Sequence, residues 1–152
     1  MNKAGFVIHE PIFRKRSEII SVVHCHSMYG KTWSTLGRKL DPITQDSCGF
    51  FQNHEIHTSY RGIVWNNEEG EDIAKKLANC NSIILQNHGL LTIGETVDEA
   101  LWLFLNMERS CESQLIAESN IVSKPILIDE DTAIITRYQT CTPFMCWFNF
   151  QP

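Results

Sequence analysis

The stretch that decides the fold is Ile19 to Gly30, IISVVHCHSMYG. Ile19, Ile20, Val22 and Val23 form a short β-branched run that reads as a buried strand over residues 18–24. The run ends in His24-Cys25-His26. Side chains alternate faces along a strand, so His24 and His26 point one way and Cys25 the other. Cys25 is therefore expected to be a small core residue rather than a ligand. Two imidazoles on one side of a strand end can hold one divalent metal at about 2.0–2.1 Å each. The same pair also reads as two hydrogen-bonded histidines at a strand end. The metal reading needs a third ligand, and His88 offers one in the later run Leu85-Gln86-Asn87-His88-Gly89.

Downstream of the triplet, residues 27–36 read as a helix with Ser27 as N-cap and Gly37 near its end. Asp41-Pro42 marks a turn. Residues 43–60 show no clear period, so His54, Glu55 and His57 are expected in a loop near the mouth of the site. His54-Glu55-Ile56-His57 lacks the spacing of H-E-x-x-H. Residues 62–65 read as a strand, and residues 71–77 as a short helix with acids in its first turn. Residues 82–85 and 90–93 read as two more strands around a tight connection that carries His88. Thr96 opens the longest helix, to residue 118, with Glu99 three residues on as in a capping box. Residues 125–128 are expected as a short strand and 133–139 as a helix, before an apolar tail over 142–148. Upstream, Pro11 falls within 6–16, so a helix there should begin near the proline or be distorted by it. His9, on that apolar segment, reads as a structural histidine. Strands alternating with helices give an α/β layer architecture.

The hydrophobic fraction of 43% against 20% charged allows a packed core, and 152 residues suit a single domain over 1–152. A net charge of -5, with no basic run beyond Arg14-Lys15-Arg16, argues against a nucleic-acid-binding face. No apolar run is long enough to span a bilayer and the N-terminus does not read as a signal peptide, so a cytoplasmic location is expected. The six cysteines include no C-x-x-C pair and are expected as reduced thiols.

His88 sits in a turn where backbone can approach a ligand. With His24 and His26 it would supply three neutral nitrogens and leave coordination positions open, as in a catalytic metal site. The runs Val22-Val23-His24-Cys25-His26-Ser27-Met28-Tyr29-Gly30 and ILQNHGLLTIGETVDEA (84–100) resemble the class II aldolase/adducin domain family. DPITQDSCGFF (41–51) and MERSCESQLIAES (107–119) resemble its fungal and adducin-like branch. The resemblance implies a three-layer α/β/α sandwich around a mixed, mostly antiparallel sheet. It also implies a divalent ion, usually zinc, on His24, His26 and His88, acting as a Lewis acid in carbon–carbon cleavage. A small-molecule substrate and a homo-oligomer with sites at subunit boundaries are further implications.

The chain departs from the family pattern in three places. The aldolases carry a Ser-Ser-Glu motif whose glutamate serves as acid/base; the equivalent positions here are Lys3, Ala4 and Gly5. Gly5 cannot move a proton, which leaves Glu55 and Tyr29 as candidates for that role. Met1 falls inside the family domain, so the fold is expected to be incomplete at its N-terminus, with an exposed sheet edge. Cys146 stands where the family has a glycine before Trp147. Three readings follow: a metal-dependent lyase on small hydroxy-carbonyl or sugar-like compounds, an adducin-like module for oligomerisation or contact with the actin cytoskeleton, and an inactive truncated remnant.

Overall fold

The computed structural model describes residues 3–62, 67–119 and 122–151. Its centre is a four-stranded mixed sheet in the order β1-β4-β3-β2. These are β1 (Ser21–Cys25), β2 (His54–His57), β3 (Ser82–Leu85) and β4 (Gly89–Gly94). β4 is buried along its whole length and pairs antiparallel with β1 on one side and β3 on the other. β2 runs parallel to β3.

The side-chain alternation of β3 and β4 builds two cores. Ile83, Leu85, Leu91 and Ile93 face one way, onto Val7, Ile8 and Ile12 of α1 (Lys3–Lys15) and Ile73 and Leu77 of α4 (Asn67–Leu77). Ile84 and Leu90 face the other way. They meet Trp33 of α2 (Met28–Ser34), Leu103, Phe104 and Met107 of α5 (Val97–Glu118), and Cys146 of α7 (Pro143–Phe150). Two short helices, α3 (Gln45–Cys48) and α6 (Glu130–Thr140), complete the second layer. The result is the expected α/β/α sandwich, and each fully buried aliphatic side chain contributes about 1.5–3 kcal/mol to it. Among the described residues β1 and β2 each pair on one side only, so both are sheet edges. Ile20, just before β1, is 70% exposed. No helix among the described residues is long and apolar enough to cross a membrane.

Several local expectations need correction. α1 begins at Lys3, well before Pro11, and continues past it to Lys15. The proline removes the N–H that would bond the Val7 carbonyl, and Gly70 of α4 packs against that carbonyl instead. A Cβ on Gly70 would lie only 2.1 Å from Val7 O. β2 occupies a stretch expected to be loop, because its backbone pairs with buried β3. The expected strand at 125–128 is not one; that segment is tied by the Ile128 N–H, which donates to the Pro42 carbonyl at 2.8 Å. Cys25 is exposed rather than in the core, since β1 is an edge strand. The apolar tail forms α7 and buries Cys146. Residues 63–65 of the expected strand at 62–65 lie outside the described residues.

Candidate metal centre

Three chain segments meet at one end of the sheet. His24 is the fourth residue of β1, His26 follows that strand, and His88 sits in the turn between β3 and β4. The turn is tight: Asn87 takes a left-handed conformation at φ 58°, which Asn tolerates well. Two residues on, position 89 must be glycine for close packing, because a Cβ there would lie 2.5 Å from the Cys25 carbonyl. That close approach brings the end of β1 against the turn and the three imidazoles together. Ring centroids lie 5.2 Å apart for His24 and His26, 4.8 Å for His24 and His88, and 4.5 Å for His26 and His88.

One nitrogen from each ring lies within 4.8 Å of the other two. A tetrahedral ion with nitrogen ligands at 2.0–2.1 Å would hold them about 3.3 Å apart, a modest contraction of the present cluster. The donor chemistry fits as well. The Nδ1–H of His24 donates to the Leu90 carbonyl at 2.9 Å, which leaves Nε2 with its lone pair. Burial lowers the His24 pKa to about 4, and the neighbouring His88 and His26 push it the same way. Burial also lowers the His88 pKa, with His26 adding to the effect. His24 and His88 are thus held as neutral imidazoles at neutral pH, the form a metal requires.

The segment after His26 is anchored from α5. Ser27 is the N-cap of α2, yet its side chain makes no capping bond. Its hydroxyl donates to Glu108 instead. The Glu108 carboxylate also accepts from the backbone N–H groups of Tyr29, at 2.9 Å, and Gly30, at 2.7 Å. A carboxylate therefore caps the positive end of α2. Sequence reasoning missed Glu108, because 81 residues separate it from Ser27.

Both proton-transfer candidates are engaged with other side chains. Tyr29 donates its hydroxyl to Glu112, and that bond raises its pKa. Glu55 lies on the edge strand β2, where its carboxylate is held by Lys39 at 2.8 Å and Lys76 at 3.7 Å. His54 is not a mouth residue; it is 2% exposed. Its Nε2 accepts the Leu40 N–H and its Nδ1–H donates to the Phe50 carbonyl. His57 is also in β2, and its Nε2 is buried without a hydrogen-bond partner. Tyr60 approaches the cluster, with its ring centroid 6.2 Å from that of His88.

Comparison with known proteins shows the family and the fold. A model of the class II aldolase and adducin N-terminal domain matches residues 1–115. The chain is 40% identical over 152 residues to a protein named decarboxylase NovR from Streptomyces niveus, covering all of this chain and 56% of that protein. It is 45% identical over 118 residues to the meiotically up-regulated gene 14 protein of Schizosaccharomyces pombe, covering 78% of this chain and 46% of that one. The solved structure of L-fuculose 1-phosphate aldolase from Glaciozyma antarctica PI12 superposes with a TM-score of 0.89 at 37% identity. That match covers 99% of this chain and 56% of the aldolase. The chain thus spans about half the length of the curated relatives it matches.

Proposed function

From the premise that this chain belongs to the class II aldolase and adducin N-terminal domain family, we propose that His24, His26 and His88 hold one divalent ion, zinc by preference. We further propose that the protein is a lyase that breaks a carbon–carbon bond beside a carbonyl group in a small hydroxy-carbonyl or oxo-acid compound. The observation that carries this reading is the convergence of three imidazole nitrogens within 4.8 Å. The names of two relatives, a decarboxylase and an aldolase, both describe cleavage of a carbon–carbon bond.

When bound, the ion would supply Lewis-acid polarisation of the substrate carbonyl. The chain's own residues do the rest. Leu90 fixes the His24 tautomer through its carbonyl. Glu108 holds the backbone that follows His26. Gly89 keeps the turn close enough to bring in His88. For proton transfer Tyr29 is favoured over Glu55, because Tyr29 follows His26 by three residues whereas Glu55 sits on the opposite edge strand. Proton transfer of this kind contributes roughly 10²–10⁴ in rate.

The test is turnover of L-fuculose 1-phosphate and of a panel of 2-oxo acids before and after chelation. Turnover that stops with chelator, returns with zinc and is absent in His88→Ala supports the lyase. Turnover indifferent to chelation contradicts it. A second reading draws on Gly5, which leaves the position of the family glutamate without an acid/base group. It is an adducin-like module that keeps the fold for homo-oligomerisation or contact with the actin cytoskeleton. Folded, oligomeric protein that binds no metal and co-sediments with filamentous actin would favour it.

A further inference from the structure

The corner between α6 and α7 carries two thiols. Cys141 is the C-cap of α6, and Thr142 is the N-cap of α7. The Thr142 side chain accepts the Met145 N–H at 3.2 Å, and the Thr142 carbonyl accepts the Cys146 N–H at 2.9 Å. Cys141 thus stands just before a formed helix cap and Cys146 at the fourth position of the helix. Side chains at those two positions meet across the first turn, where an apolar pair commonly packs as a staple. Here both members of the staple are cysteines. They lie against the same core, and the Cys146 S–H donates to the Cys141 sulfur. Gly49 makes room for the pair, since a Cβ there would lie 3.2 Å from Cys141 Sγ.

We propose that Cys141 and Cys146 are a redox modification site, a thiol pair that hydrogen peroxide converts reversibly into a disulfide. The two thiols differ in the way such a reaction needs. Cys146 is 1% exposed, whereas Cys141 is half-buried and open to a small oxidant. The hydrogen bond from Cys146 lowers the Cys141 pKa; burial and Glu99 oppose it, and the Arg137 guanidinium one turn back assists it. The same bond and burial raise the Cys146 pKa. Cys141 is therefore the attacking thiol and Cys146 the resolving one. The Cys141 thiolate attacks one peroxide oxygen; an S–O bond forms, the O–O bond breaks, and hydroxide leaves and takes up the proton that Cys141 lost. The sulfur gives up two electrons and the peroxide gains them. The Cys146 sulfur then attacks Cys141 Sγ; the S–S bond forms, the S–O bond breaks, and the departing hydroxide takes the Cys146 proton. Two thiols and one peroxide give one disulfide and two waters. The product replaces a packing staple with a covalent one and fixes the start of α7 to the end of α6.

The experiment exposes the folded, reduced full chain to a small excess of hydrogen peroxide, then counts and maps the remaining thiols by alkylation and mass spectrometry. The expected result is a fall from six free thiols per chain to four, with residues 141 and 146 linked within one chain. Dithiothreitol should restore all six. Cys146→Ser should stop at a sulfenic acid on Cys141 that dimedone traps, and Cys141→Ser should leave Cys146 as a free thiol. A native chain in which both residues stay open to alkylation while other cysteines are oxidised overturns the proposal. So does a native chain in which either residue pairs preferentially with a different cysteine, or a Cys141→Ser chain whose Cys146 is oxidised at the native rate. The first two results are read on the native chain and stand whether or not the variants fold.

Discussion

Glu108 on α5 accepts the Ser27 hydroxyl at the start of α2 and so ties the segment after His26 to the neighbouring helix. The same carboxylate satisfies two backbone N–H groups of the first turn of α2. Glu108→Ala leaves these donors without their acceptor. It is expected to cost about 2 kcal/mol of stability, the range for charge-assisted hydrogen bonds. Metal affinity should fall by roughly 10- to 100-fold, as for other groups that orient ligands from behind. Urea unfolding and competitive zinc titration measure the two effects.

Two helical glycines should respond to alanine with opposite signs. Gly70 abuts the Val7 carbonyl, and a Cβ there would meet backbone at 2.1 Å. Gly70→Ala must push α4 off α1, with an expected loss of about 2–3 kcal/mol. Gly5 has nothing within 4 Å of the place a Cβ would take. Gly5→Ala removes backbone freedom from the unfolded chain and should add about 0.5 kcal/mol. Urea midpoints of the two variants decide the matter.

Acid should destabilise the fold through His54. Burial, the main cause, lowers its pKa from 6.5 to about 4. Its Nε2 already accepts the Leu40 N–H, so protonation there breaks a buried bond. The unfolded chain then binds the extra proton between pH 6.5 and 4 and the folded chain does not. The stabilising contribution is therefore present above pH 6.5 and is lost as the pH falls toward 4. For this one residue the loss from pH 7 to pH 5 is about 2 kcal/mol. Metal-free protein should show that loss in urea unfolding, and His54→Gln should show a smaller one. Equal pH dependence in the two proteins would count against this account.

The Thr96 cap should be separable from the site. Its side chain accepts the Glu99 N–H at 3.1 Å and opens α5. Thr96→Ala is expected to cost about 1 kcal/mol of stability. Zinc stoichiometry should stay unchanged, because Thr96 follows the far end of β4, whereas His88 precedes its start. Thermal melts and metal analysis of the same sample test both halves.

The parts of the fold that were legible in the sequence are those whose own side chains carry the pattern. Ser82 to Leu85 is a strand because three of its four residues are aliphatic and both faces are buried. Thr96 announced α5 through a cap confined to four residues. The histidine triplet was legible because strand alternation places His24 and His26 together without help from elsewhere. β2 was not legible: His54, Glu55 and His57 leave Ile56 as its one apolar residue, and its strand form comes from pairing with β3. α1 was hidden by Pro11, and the Gly70 that packs against the Val7 carbonyl lies far away in sequence. Glu108 and Tyr60 reach the site only through tertiary packing, for which local pattern carries no signal.

The most direct test of the central claim is the metal content of the purified chain, native against His24→Ala. The account predicts close to one divalent ion per chain in the native protein and its loss in the variant, with both proteins folded. A folded native chain without metal, or a His24→Ala chain that keeps its ion, would contradict it.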